Sequence, residues 1–113
     1  MTDIKARLLS PNRKPVSVSI LGGKFFIRRL SAQEQVDFEA QTEKFREQND
    51  PRGMALMSAA TVLGALVDAN GTPFAELPTP EELIDIHSHA DLLEAVSAVQ
   101  RHSFGTLEDA EKN

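Results

Sequence analysis

The chain has 113 residues with a formal net charge of −5, no cysteine, no tryptophan and no tyrosine. That length sets one domain with a modest core, and the missing thiols exclude disulfides, thiolate metal sites and cysteine nucleophiles, as fits a cytosolic protein. The acidic balance, with phenylalanine as the sole aromatic type, argues against a nucleic-acid binder, which needs basic patches interleaved with stacking rings.

Charge is unevenly placed. Residues 1–30 carry seven basic groups against one acid, Asp3, a balance of +6; the rest of the chain carries five against sixteen, or −11. Residues 1–13 read as a short basic leader closed by a Pro11-Asn12 turn signal, without the unbroken apolar core of a signal peptide. In 15–30, Val16, Val18 and Ile20 alternate with Ser17 and Ser19, the period of a half-buried strand. Gly22-Gly23 then suits a two-residue hairpin turn. Pairing Leu21 with Lys24 sets Ile20 opposite Phe25, Val18 opposite Ile27 and Ser17 opposite Arg28, so that apolar side chains share one face. A lone hairpin is marginal, so this one must pack on helices or join another strand.

Ser31-Ala32-Gln33-Glu34 has the capping-box pattern and opens a surface helix over about 32–48. Asn49-Asp50-Pro51 ends it and starts the next, with Asp50 as N-cap and proline at the first turn. The helix over about 51–67 is the informative one. From Gly53 to Val67 it holds fifteen residues without a charge, and only Ser58 and Thr61 carry polar side-chain atoms. A helix apolar all round is buried all round, yet at ~1.5 Å per residue it falls short of the ~30 Å membrane core. In so short a chain few elements can cover it. It therefore sits at the centre of a small bundle or is completed by another polypeptide. Gly64 within it predicts a close helix approach. Asp68 to Pro73 is a turn built on Asn70-Gly71, with Val67 and Phe74 flanking a very short hairpin. Thr79-Pro80-Glu81-Glu82 is a second capping box for a short helix, about 80–87, and Ser88 starts the last, about 89–103, with Gly105 placed for a left-handed cap. Residues 105–113 are polar and read as a flexible tail. The fold class is α+β, mainly α: an N-terminal hairpin packed on a bundle of about four helices, forming one domain over 14–104.

Chemistry is scarce. His87-Ser88-His89-Ala90-Asp91 resembles a metal-ligand run, but it straddles a helix junction, where residues two apart do not share a face, and only His102 remains as a further histidine. Gly22-Gly23-Lys24 lacks phosphate-loop spacing. Glu81 and Glu82 are explained by the positive end of a helix, and Ser88, His87 and Asp91 lie too close in sequence to build a nucleophile geometry. No catalytic, cofactor-binding or metal residue is expected. The expected protein-binding surface, for itself or a client, is Met54, Leu56, Met57, Ala60, Leu63, Gly64 and Val67, because methionine and leucine make adaptable apolar surfaces. Lys24, Arg28 and Arg29 are the expected electrostatic contact between copies, a basic hairpin meeting an acidic helix.

Two stretches carry a resemblance. Arg28-Arg29-Leu30-Ser31-Ala32-Gln33-Glu34 is a strand end running into an Arg-x-Leu-Ser-x-x-Glu helix start, and Asp68-Ala69-Asn70-Gly71-Thr72-Pro73-Phe74 is an Asp-x-Asn-Gly-x-Pro-Phe turn after an apolar helix. With the length and acidity, the chain resembles the tail assembly chaperones of long-tailed bacteriophages over about residues 14–104. The resemblance implies a non-enzymatic, self-associating protein of the host cytoplasm, absent from the mature virion, that coats the tape measure protein and keeps it soluble. It also implies that a longer, frameshifted product contacts the tail tube protein. Neither nucleic acid nor membrane is an expected partner. The competing expectation is a small helical adaptor or regulatory module dimerising through the central apolar helix, and a small metal-dependent enzyme is a distant third.

Overall fold

The structure, a computed structural model, describes residues 3–10 and 14–104. The Pro11-Asn12 turn, the Gly105 cap and the 105–113 tail lie outside the described residues. The element order is α1 (Asp3–Leu8), β1 (Val16–Ile20), β2 (Gly23–Ile27), α2 (Ala32–Glu47), α3 (Pro51–Ala65), β3 (Leu66–Val67), α4 (Pro80–Ile86) and α5 (His89–Phe104). The fold is α+β and mainly helical: α3 lies against α2, α4 and α5, and a three-stranded antiparallel sheet of order β1-β2-β3 caps the bundle.

The hairpin turn differs from the sequence expectation by one residue. Leu21 and Gly22 are the turn residues, with φ of 51° and 79°, as a type I′ turn demands. The register therefore pairs Val16 with Ile27, Val18 with Phe25 and Ile20 with Gly23. A shift of the turn by one residue moves the pairing by two, so the same side chains share a face and burial does not discriminate between the registers. Leu21 tolerates its left-handed backbone because its side chain packs on the core, and Gly23 leaves room for the Phe25 ring, which would sit 3.1 Å from a Cβ there.

The central helix also ends earlier than its apolar run. After Ala65 the chain straightens, and Leu66 and Val67 pair with Ile27 and Phe26 as the third strand. β-Branched and aromatic neighbours on β2 make that pairing favourable, and the Arg28 N–H donates to the Ala65 carbonyl at 2.9 Å, tying the helix end to the sheet. The Asn70-Gly71 turn is templated by Asp68. One carboxylate oxygen accepts from the N–H groups of Asn70 and Thr72, at 2.8 and 3.0 Å. Gly71 takes φ 85°, and Val67 bridges to Pro73. That fold-back covers the short edge of the sheet.

The corner between β2 and α2 explains the Arg-x-Leu-Ser-x-x-Glu spacing. Ser31 and Glu34 form a reciprocal capping box, and both guanidinium nitrogens of Arg28 donate to the two Glu34 oxygens at 2.9 Å. Leu30 donates its N–H to Ser103 of α5 at 2.8 Å. Hydrogen bonding to Arg28 first, and to the Ser31 backbone as well, holds the Glu34 carboxyl down to about 2 from its ordinary 4.5. A depressed carboxylate stabilises the fold above its unfolded value and loses that contribution as pH falls toward the folded one. Acid titration of the folded chain is therefore expected to show a stability loss between pH about 4.5 and 2 that Glu34→Gln removes. Urea midpoints measured across that window check it, and an unchanged slope in the variant would refute the assignment.

The core joins both layers. Ile20 and Ile27 from the sheet meet Ala59, Val62, Leu63, Ala65 and Leu66 from the central segment, with Leu83 of α4 and Leu92, Ala95, Val96 and Val99 of α5. Between α2 and α5 the amide of Gln100 donates to Gln35 at 3.3 Å. Among the described residues no helix is long and apolar enough to cross a membrane.

Candidate protein-binding groove

The all-apolar α3 is covered unevenly. Ala59, Val62, Leu63 and Ala65 are enclosed, whereas Ala60 and Gly64 are exposed and Met54, Leu56 and Met57 are half-buried. Leu56, Ala60 and Gly64 lie four residues apart and so form one stripe along the helix. Gly64 is not the close approach that the sequence predicts: a Cβ there would meet nothing within 4 Å. The close approach is at Gly53, where a Cβ would lie 2.6 Å from the Phe45 ring and 2.8 Å from the Asp50 carboxylate.

Along the N-terminal half of that stripe runs an open groove of about 560 Å³. Its floor is Leu56, Met57 and Ala60; Phe45 and Gln41 of α2 form one wall, and Pro80 and Glu81 at the start of α4 form the other. Local chemistry sets the geometry. Asp50 caps α3 by accepting from the Gly53 N–H at 2.9 Å, which lets the Phe45 ring close over Gly53. Thr79 caps α4 through its own box with Glu82, which brings Pro80 and Glu81 to the same end of the bundle. The Thr42 hydroxyl approaches the Met57 sulfur at 3.8 Å and steadies it on the α2 side. Asp50, Glu81 and Arg52 supply the charge on the rim. Such an arrangement offers an apolar floor suited to side chains from another helix.

The residues expected from sequence to bind protein thus separate. Leu56, Met57 and Ala60 line the groove, and Met54 lies beside it on α3. Gly64 continues the open stripe, while Leu63 and Val67 belong to the chain's own interior. The wall residues Gln41, Phe45, Pro80 and Glu81 were not foreseen, because nothing local in the sequence says that α2 and α4 flank this face.

The basic trio also separates. Arg28 is engaged by Glu34 within the chain, so its charge is matched there. Lys24 lies on a cleft shared with Asp91 and Glu94 of α5, and Arg29 on one shared with Lys14 and His102. Burial, and secondarily the Arg29 charge, push the His102 imidazole below its ordinary value. At the α4–α5 junction, Ser88 caps α5 by accepting from the Asp91 N–H at 3.1 Å. Among the described residues no three histidine, aspartate or glutamate side chains are grouped to hold a metal ion.

Residues 3–113 match the profile of a family described as phage tail assembly chaperone protein, TAC. No curated protein and no solved structure matches the chain.

Proposed function

The chain belongs to the phage tail assembly chaperone family, and from that premise we propose that it binds the tape measure protein through the groove on α3 and keeps it soluble while the tail is built. The observation that carries this reading is the unfilled apolar groove floored by Leu56, Met57 and Ala60. A tape measure protein is a long helical chain with apolar stretches, and a helix laid in a groove presents such stretches at i, i+3 and i+4. Many copies binding one long client gain by multivalency what a single shallow groove lacks in affinity. In this reading the protein is non-enzymatic, self-associates, works in the host cytoplasm and is left out of the mature virion; a longer product would carry the contact to the tail tube protein.

Co-expression with the tape measure protein tests it, scored by the fraction of that protein left in solution. Met57→Asp places a charge on the groove floor, and losing a central apolar anchor costs about 2 kcal/mol or more, roughly 30-fold in affinity. The soluble fraction is expected to collapse while the variant keeps its helix content. A tape measure protein that stays equally soluble with the variant would overturn the reading.

A further inference from the structure

Two of the apolar features left open among the described residues complement each other. One is the α3 groove. The other is α1, whose residues are all exposed, with Ile4 61 % and Leu8 75 % accessible and Leu9, just past its end, 72 %. Ile4 and Leu8 lie one turn apart and share a face, and at ~100° per residue Lys5 and Arg7 flank that stripe on either side. The groove carries opposite charge at its ends, Asp50 and Glu81 against the single cation Arg52. Stripe and floor match in polarity, and the Lys5 and Arg7 flanks are opposite in sign to Asp50 and Glu81 on the rim.

Taking the groove as the protein-binding surface proposed above, we infer that α1 of a second copy occupies it when no client is present, with Ile4 and Leu8 on Leu56, Met57 and Ala60, and Lys5 and Arg7 toward Asp50 and Glu81. A second copy is the occupant because the chain's own α1 is exposed along its length and carries two cations, Lys5 and Arg7, against one acid, Asp3. Contact of arm with groove joins two different surfaces, so it propagates from copy to copy rather than closing by necessity. A client helix and the arm then compete for one site.

The chain contains no cysteine, which makes a cross-linking test clean. Unlabelled full-length Leu8→Cys is mixed with isotopically heavy Ala60→Cys and oxidised. A disulfide joining a light and a heavy chain is the expected dominant product. If that mixed product is absent and a separate variant carrying both substitutions cross-links only within itself, α1 folds onto its own groove and the second copy is overturned. In parallel, Leu8→Asp and Met57→Asp should each lower the mass seen by light scattering to that of one chain, with helix content unchanged. A native chain that is monomeric at high concentration, or a mass that Leu8→Asp leaves unaltered, refutes the arm contact. Loss of tape measure solubility by Met57→Asp without loss of mass would sink the arm contact alone. Loss of mass without loss of solubility would sink the client reading and keep the arm.

Discussion

Ile27→Ala is expected to destabilise the chain by about 2–5 kcal/mol, the range for removing a large buried aliphatic side chain. Ile27 is fully enclosed and sits where three strands meet, opposite Val16 on one side and Leu66 on the other. Its side chain reaches the cluster built by α3 and α5, so the cavity would open between layers, where neither the sheet nor the bundle can easily collapse to fill it. A domain of this size has a total stability of about 5–15 kcal/mol, so the loss is a large share of the whole. Urea unfolding followed by circular dichroism reads it directly. A midpoint shift equivalent to less than about 1 kcal/mol would mean that the sheet is only loosely docked.

The second large effect is a contrast between two glycines in one helix. Gly64→Ala is expected to stabilise by about 0.5–1 kcal/mol, because helix propensity improves and the new methyl enters open space. Gly53→Ala is expected to destabilise by about 1–2 kcal/mol, since overpacking against the Phe45 ring and the Asp50 cap exceeds the same propensity gain. The same substitution thus changes sign eleven residues away. Gly53→Ala should also swing Phe45 off the groove wall, so client solubility is expected to fall with it and to be unchanged in Gly64→Ala. Equal midpoints for the two variants would contradict the packing described at Gly53.

These contrasts show where sequence reading reached its limit. The helix starts at Ser31, Asp50, Thr79 and Ser88 were legible because a cap joins residues three apart, and all four make the hydrogen bonds that their side chains advertise. The Asp68 turn was legible for the same reason. The hairpin was legible as alternation, but its register was not, since two registers differing by two residues bury the same face and backbone preference favours a Gly22-Gly23 turn, whereas the chain places Leu21 at positive φ. The Arg28–Glu34 pair was not legible, because the capping box already accounts for Glu34; one carboxylate serves both.

The sequence by itself determined that α3 is the apolar hub, because composition carries that fact, and two short motifs carry the resemblance to a tail chaperone. Only the tertiary structure decided which side of α3 stays open, that its last two apolar residues turn into a strand, and that Gly53 rather than Gly64 is the tight contact. The reason is physical. A helix of uniform polarity has no preferred face of its own. The asymmetry comes from long-range packing of α2, α4 and α5 around it, and no single stretch of the chain encodes it.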